Sequence, residues 1–154
     1  MSMTSTRGQS IVLLLADDDA DDRAMTREAL DENRVRNPLY CVQDGEELMD
    51  YLHRRKGYAA PGAAPTPGLI LLDLNMPLKD GREALAEIKA DPALRHIPIV
   101  VLSTSGNEDD VRYSYEHGAS SFITKPMTFE ALVAHMKTLG DYWLDLVALP
   151  ADEP

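Results

Sequence analysis

The amino-acid sequence predicts a doubly wound α/β fold, in which helices cover both faces of a five-stranded parallel sheet. Several short runs are wholly apolar, which is typical of strands buried on both faces. These runs alternate with segments whose apolar residues recur at helical spacing. Five such alternations, without long internal repeats, favour this fold class. With 154 residues, of which 44% are apolar, the chain is long enough for one domain and too short for two ordinary ones.

The first predicted strand runs directly into an acidic loop. Residues 11–16, IVLLLA, are all apolar, and aspartates follow at most of the next positions. Asp21 and Asp22 lie near the start of the next helix, where acidic side chains cap the helix and complement its dipole, so we assign them mainly to that role. Asp17 and Asp18 lie nearer to the strand end and are the better candidates for a functional site.

The remaining elements repeat the order of strand and then helix. Further strands are predicted at 39–43, 69–72, 99–102 and 121–124, and helices at 46–56, 82–90, 109–116 and from 128 onwards. Residues 57–68, GYAAPGAAPTPG, are rich in Gly, Ala and Pro and are predicted to be a surface loop. A linker between two domains is the alternative, but residues 39–56 are too few to complete a domain, so we expect an insertion within one domain.

Polar side chains stand at the ends of four predicted strands. The crossovers of a parallel sheet gather these ends along one edge, where ligands of open α/β sheets bind. We therefore expect five residues to meet there: Asp17, Asp18, Asp73, Ser103 and Lys125. Taken alone, Asp73 could be a helix cap or loop residue, but its companions favour a role in a site.

This group of residues suits a divalent cation and phosphoryl chemistry. Three converging carboxylates would raise one another's pKa values unless a cation lay among them, and Mg²⁺ prefers such oxygen ligands. A carboxylate can also attack phosphorus, and Asp73 is the one central to the sheet. Mg²⁺, the Lys125 ammonium and the Ser103 hydroxyl could then neutralise the three phosphoryl oxygens. The histidines form no zinc-binding pattern and are expected to be surface or half-buried residues: His53, His96, His117 and His135.

Together these motifs resemble the response-regulator receiver domain of bacterial two-component signalling. The resemblance covers residues 11–139 and rests on the Asp17-Asp18 pair, the DLNMP run that starts at Asp73, Ser103, and Lys125-Pro126. It implies a flavodoxin-like (βα)5 fold with strand order 2-1-3-4-5. It also implies that Asp73 accepts a phosphoryl group from a sensor histidine kinase, and that the chain catalyses only its own phosphorylation and dephosphorylation.

The resemblance assigns further roles at the same edge. Asp17, Asp18 and Asp73 would bind Mg²⁺ together with the main-chain carbonyl of Asn75. The Lys125-Pro126 peptide bond would be cis, which is energetically tolerable before proline.

Two residues would form the switch that reports phosphorylation, namely Ser103 and Phe122. Phe122 lacks the phenolic hydroxyl of the commoner tyrosine. Ser103 and Lys125 are expected to matter for communicating phosphorylation more than for folding, so we expect Lys125→Ala to fold.

A narrower resemblance is to single-domain regulators paired with bacterial phytochrome kinases. It rests on the Pro-rich loop, on DGREALAEIKADP and on the ending DYWLDLVALP. Because the sequence has no output module, we expect the message to pass through protein contacts. Residues 1–10 are expected to be a flexible N-terminus, 11–149 the receiver domain and 150–154 a tail.

Composition excludes several other classes of partner. The formal net charge of -11 opposes direct binding to nucleic acid or to an anionic membrane. The single cysteine, Cys41, cannot form an internal disulfide and is expected to be a buried thiol in a reducing compartment. The sequence contains neither a membrane span nor a signal peptide, so we expect a cytoplasmic protein.

Two other functions remain as alternatives. A phosphatase of the haloacid dehalogenase type uses an aspartate nucleophile and Mg²⁺ but needs a second aspartate two residues later, where this chain has Asn75. A flavodoxin-like cofactor carrier shares the fold, but Asp17 and Asp18 would repel a phosphate at the end of the first strand.

The C-terminal segment predicts a homodimer. A helix over 128–147 would span ~30 Å, whereas a five-residue strand covers only ~17 Å, so its last turns must overhang the sheet. Apolar residues crowd around the axis of this overhang: Tyr142, Trp143, Leu144, Leu146, Val147 and Leu149. We expect a second copy to cover them, with 109–116 and 121–124 in the same interface. The alternative is a tail that bends at Gly140 and packs on its own domain.

Overall fold

The computed structural model describes residues 11–146 and Ala148. Within these residues, five parallel strands form one sheet in the order β2-β1-β3-β4-β5, which confirms the predicted fold class and strand order. The strands are β1 Leu13–Ala16, β2 Leu39–Val42, β3 Leu69–Leu72, β4 Ile99–Ser103 and β5 Ser121–Thr124. The predicted flexible N-terminus, 1–10, and tail, 150–154, lie outside the described residues.

Five α-helices follow the strands in the described part of the chain. They are α1 Ala20–Glu32, α2 Gly45–His53, α3 Gly81–Ala90, α4 Glu108–Glu116 and α5 Phe129–Leu139. A side chain that accepts a backbone N–H precedes each helix: Asp19, Asp44, Asp80, Asn107 and Thr128. These caps satisfy N–H groups that have no partner inside the helix, so the sequence itself marks where each helix begins. The cap of α1 is Asp19, so the predicted capping by Asp21 and Asp22 is wrong, but both lie in the first turn, where they complement the helix dipole as expected.

The sheet divides the core into two apolar clusters, because successive strand residues point to opposite faces. On β1, Leu14 and Ala16 belong to one cluster, and Leu13 and Leu15 to the other. The first cluster includes residues of α2 and α3, and the second includes residues of α1 and α5. The strands β1, β3 and β4 are buried along their whole length, as their continuous apolar sequences predict.

The Pro-rich loop 57–68 connects α2 to β3 and packs on α2. The Tyr51 hydroxyl donates to the Pro65 carbonyl at 2.7 Å, and Arg54 Nε donates to the Ala64 carbonyl at 3.0 Å. Ala64 itself is buried in the first apolar cluster. The loop is therefore an ordered insertion within the sheet domain, and its first residues form a 3₁₀ turn over Lys56–Tyr58.

The chain continues as a helix through Gly140 rather than bending there. Gly140 has right-handed helical angles, φ -64 and ψ -45, and a π-helical segment runs over Gly140–Leu146. Leu144 is buried in the second apolar cluster, whereas Tyr142 is 48% exposed. The domain's own core thus covers part of this segment. Val147, Leu149 and the side chain of Leu146 lie outside the described residues. Among the described helices, none has the length and apolar character needed to cross a bilayer.

Candidate functional site

The carboxylates predicted to form a site meet beyond the ends of β1 and β3. Ala16 and Leu72, the last residues of these strands, are direct partners in the sheet, and the Asp73 amide donates to the Ala16 carbonyl at 2.9 Å. One carboxylate oxygen from each of Asp17, Asp18 and Asp73 lies within 4.8 Å of the others. Asp17 and Asp73 are buried and Asp18 is exposed. The parallel register of the two strands therefore places three acidic groups together.

Lys125 reaches into this cluster from the end of β5. Its Nζ lies 2.8 Å from Asp17 Oδ2, 3.0 Å from Asp22 Oδ2 and 3.2 Å from Asp73 Oδ2. Its backbone N–H donates to the Ser103 carbonyl at 2.8 Å, which ties it to the end of β4. One ammonium thus faces three carboxylates and leaves a net negative charge, with Asp18 as a fourth acidic group nearby.

Burial and charge act in opposite directions on these groups. Burial raises the pKa of the Asp17 and Asp73 carboxyls above the ordinary value, although the Lys125 ammonium opposes that shift. Burial also disfavours the charged form of Lys125, but its hydrogen bonds to Asp17 and Asp22 prevail and raise the Lys125 pKa. A further cation would relieve the remaining repulsion between the carboxylates.

The donor set fits a divalent cation such as Mg²⁺. All three acidic groups offer hard oxygen ligands, and the described residues place no histidine or cysteine in the cluster. Backbone amides hold two of the carboxylates in place: the Asp19 amide donates to Asp17 Oδ1 at 3.0 Å, and the Asn75 amide donates to Asp73 Oδ1 at 3.2 Å. The Asn75 backbone therefore lies beside the Asp73 carboxylate. The role of the Asn75 carbonyl as a ligand stays a prediction.

Ser103 and Phe122, the predicted switch pair, occupy neighbouring strands. Ser103 is fully buried at the end of β4, and its Oγ accepts a hydrogen bond from the Ser105 amide at 3.2 Å. Phe122 is half-buried on β5 and packs against the first apolar cluster. Its amide donates to the hydroxyl of Tyr115 at 3.1 Å, so α4 supplies a phenolic hydroxyl beside β5. The switching role of the pair stays a prediction.

The predicted cis bond between Lys125 and Pro126 is wrong for this structure. The described residues contain no cis peptide bond. The trans isomer before proline is favoured by about 0.5–1 kcal/mol, and Lys125 reaches all three carboxylates with the trans bond.

The sequence around this site matches a known protein family. The model of the response regulator receiver domain matches residues 13–137. This chain belongs to the response-regulator receiver family. The predicted family is therefore confirmed, and the receiver domain takes up most of the described chain.

Relatives of this receiver domain match it along nearly its whole length. Response regulator Rcp1 of Synechocystis sp. is 42% identical over 140 residues, which cover 91% of this chain and 93% of Rcp1. The structure of the phosphorylated cyanobacterial phytochrome response regulator RcpA has 43% identity and a TM-score of 0.85, covering 92% of this chain and 99% of that one. The Mn²⁺-bound form of Rcp1 has 42% identity, a TM-score of 0.84 and the same coverage.

Three residues of the receiver site were not predicted for it. Asp22 was assigned to the helix dipole, yet its carboxylate binds Lys125. Tyr115 gave no signal beyond its place on an amphipathic helix. Gly81 directly precedes the predicted helix 82–90 and was given no role in the site, but a Cβ there would lie 2.3 Å from the Asp73 carbonyl oxygen. The available signal was the Asp80-Gly81 dipeptide, a helix cap followed by glycine, because glycine allows two backbones to approach closely.

Proposed function

We propose that this response regulator accepts a phosphoryl group on Asp73 from a sensor histidine kinase. The observation that supports this most is the meeting of Asp17, Asp18, Asp73 and Lys125 at one edge of the sheet. An oxygen of Asp73 attacks the phosphorus of a phosphohistidine, and a P–O bond forms as the P–N bond breaks. The electron pair of the P–N bond leaves with the imidazole.

The side chains around Asp73 have distinct tasks in this step. The Lys125 ammonium, 3.2 Å from Asp73 Oδ2, stabilises negative charge on the phosphoryl oxygens, and the buried Ser103 hydroxyl donates to one of them. The Asn75 amide holds Asp73 Oδ1 and so fixes the orientation of the carboxylate. Mg²⁺, bound by Asp17, Asp18, Asp73 and the Asn75 carbonyl, would neutralise further phosphoryl charge.

We further propose that the phosphoryl donor is a phytochrome kinase and that the signal leaves through protein contacts. The likeness to the cyanobacterial phytochrome response regulator RcpA supports the choice of kinase. The net charge of -11 opposes nucleic acid and anionic membranes as direct targets. A cytoplasmic location stays a prediction.

Incubation with acetyl phosphate and Mg²⁺, followed by intact-mass spectrometry, tests the acceptor. The wild-type chain gains one phosphoryl group, Asp73→Asn gains none, and chelation of Mg²⁺ prevents labelling of the wild type. Asp109→Asn, on the exposed start of α4, is the matched control and is labelled normally. Labelling of Asp73→Asn at the wild-type rate would place the acceptor elsewhere. Transfer from purified histidine kinases then identifies the donor.

We also propose a homodimer formed through the C-terminal helical segment, α4 and β5. Tyr142 and Trp143 make an edge-to-face pair with centroids 5.2 Å apart, beside a groove that includes Ile123 on the outer strand β5. Tyr142 is 48% exposed, and in the described residues β5 pairs only with β4. An exposed aromatic group beside a sheet edge suits a second copy that brings the same surface.

Point variants test this dimer better than truncation, because a chain ending at Gly140 would lose the buried Leu144. Light scattering at tens of micromolar is expected to give a dimer for the wild type and a monomer for Tyr142→Ser. Met127→Ser, which removes a 99% exposed side chain just before α5, leaves the dimer intact. A monomeric wild type contradicts the proposal, and a dimeric Tyr142→Ser places the interface elsewhere.

A further inference from the structure

A largely buried ion pair joins α3 to α4 next to the acceptor loop. Arg82 Nε lies 2.9 Å and Arg82 Nη2 2.7 Å from the same oxygen, Asp110 Oδ1. The side chain of Asp110 is 9% exposed and that of Arg82 is 28% exposed. The Tyr113 hydroxyl, one turn along α4, also donates to the Arg82 carbonyl at 3.1 Å. Two donors on one buried carboxylate oxygen fix the first turn of α3 against the first turn of α4.

On one side, this pair reaches the acceptor aspartate. Arg82 Nη1 donates to Asn75 Oδ1 at 3.5 Å, the longest bond of the series, and the Asn75 backbone amide donates to Asp73 Oδ1 at 3.2 Å. The guanidinium therefore holds both the side chain of Asn75 and the carboxylate of Asp110. Its planar fork presents donors to both acceptors in a fixed geometry, which the rotating donors of a lysine ammonium do not provide.

On the other side, the pair reaches the Ser103 hydroxyl. Asp110 Oδ2 accepts hydrogen bonds from Ser105 Oγ at 2.9 Å and from Asn107 Nδ2 at 3.2 Å, and the Ser105 amide donates to Ser103 Oγ at 3.2 Å. A hydroxyl has one proton and two lone pairs, so Ser103 accepts from Ser105 and keeps its proton for another acceptor. A phosphoryl oxygen on Asp73 would be such an acceptor.

We propose that Arg82 is a positioning residue for phosphorylation of Asp73. It connects the acceptor loop to the β4–α4 loop, so that Asn75 and Ser105 act as one unit rather than as two independent supports. This role rests on the proposed function. An ion pair that served only helix packing would leave the contributions of Asn75 and Ser105 independent of each other.

The test compares the effects of two substitutions at the ends of this hydrogen-bonded series. Asn75→Ala removes the oxygen that Arg82 holds, and Ser105→Ala removes the hydroxyl that Asp110 holds, while both backbone amides remain. The rate of labelling by acetyl phosphate with saturating Mg²⁺ is measured for each single variant and for the double variant. Each rate is expressed relative to the parent chain. With Arg82 present, the relative rate of the double variant is expected to differ from the product of the two single relative rates by about twofold or more, as in other connected networks.

The same cycle in an Arg82→Met background removes the connection. The relative rate of the double variant then equals the product of the two single relative rates. If Arg82→Met fails to fold, Arg82→Lys, which keeps a charge beside Asp110, replaces it as the background and is expected to give the same result. Arg112→Met is the matched control, because Arg112 forms an exposed ion pair with Asp109 on α4 at 3.4 Å. In the Arg112→Met background, the double variant is expected to differ from the product of the single effects as much as in the wild type.

Two outcomes overturn the positioning role while leaving the proposed function intact. In the first, the wild-type chain is labelled on Asp73 but the effects of Asn75→Ala and Ser105→Ala are independent. In the second, their interdependence persists without Arg82. A wild-type chain that takes up no phosphoryl group on Asp73 refutes the proposed function itself, and the positioning role with it.

Discussion

Replacing Lys125 by methionine removes the one ammonium that the structure places among Asp17, Asp22 and Asp73. The side chains of Lys125, Asp17 and Asp73 are 14%, 2% and 8% exposed, so the partners that remain are largely cut off from water. Breaking a buried ion pair costs about 3–5 kcal/mol. The lower end applies here, because Asp22 is 31% exposed and the carboxylates can take up protons. A loss of about 3 kcal/mol lowers Tm by roughly 6–12 °C in a chain of this size.

The pH dependence of this loss has a definite sign. Burial raises the pKa values of Asp17 and Asp73, so above the unfolded value of 3.8 the folded state holds protons that the unfolded state has released. Their ionisation therefore reduces stability as pH rises through the folded pKa values. Lys125 opposes the shift, so its removal raises both pKa values further. The gap in Tm between wild type and Lys125→Met is expected to widen from pH 5 to pH 7.5.

Thermal unfolding followed by circular dichroism, in buffer with a chelator, measures this gap. Lys125→Met is expected to show a native spectrum at 20 °C, as the sequence predicts for Lys125→Ala, since single domains are usually stable by about 5–15 kcal/mol. Arg112→Ala, which breaks an exposed pair on α4, serves as the control and leaves Tm unchanged. A loss of less than about 2 °C, or a gap that narrows towards pH 7.5, would refute the reasoning about buried carboxylates.

Three further predictions address the cation, the C-terminal segment and the close backbone contact. Mg²⁺ at ten times its dissociation constant is expected to stabilise the wild type by about 1.4 kcal/mol, measured as a Tm increase of roughly 3–6 °C. Asp17→Asn is expected to reduce this increase. A wild-type Tm that stays unchanged at every Mg²⁺ concentration would contradict the cation site. Leu144→Ala is expected to cost about 2–5 kcal/mol in denaturant unfolding, because Leu144 is buried in its own domain, and a cost near zero would remove it from the core. Gly81→Ala is expected to cost about 1–3 kcal/mol and to slow phosphorylation, because its Cβ would lie 2.3 Å from the Asp73 carbonyl oxygen; normal labelling kinetics would show that the loop adapts freely.

The fold and the centre of the site could be predicted from the sequence because the composition of each strand indicates which of its faces are buried. A run such as LILL at β3 has to be covered on both faces, which requires a parallel sheet with helices on each side. Right-handed crossovers then bring the carboxyl ends of the strands to one edge. Asp17, Asp73 and Lys125 each follow a strand, so their meeting depends on topology and not on the details of packing.

The isomer of the Lys125-Pro126 bond was not accessible in this way. Its two forms differ by only about 0.5–1 kcal/mol, which contacts elsewhere in the fold can outweigh. A tendency inherited from a family resemblance therefore cannot decide the isomer for one chain, and the bond is trans here.

Residues that act from helices were missed for a different reason. Each residue of an α-helix turns the side chain by ~100°, so an error of one or two residues in the start of a helix redirects every side chain that follows. Asp21 and Asp22 were predicted to cap α1 and complement its dipole, whereas Asp19 is the cap, and Asp22, three residues on, directs its carboxylate to Lys125. The ion pair between Arg82 and Asp110 is harder still to predict, because the first residues of both α3 and α4 must be predicted correctly before the two side chains can be paired. Helix capping is thus the sequence signal that matters most for finding such residues. Once the caps of α1, α3 and α4 are fixed, the positions of the missed residues follow: Asp22 and Asp110 are third in their helices and Arg82 is second. All three then lie in first turns that adjoin the carboxyl edge of the sheet.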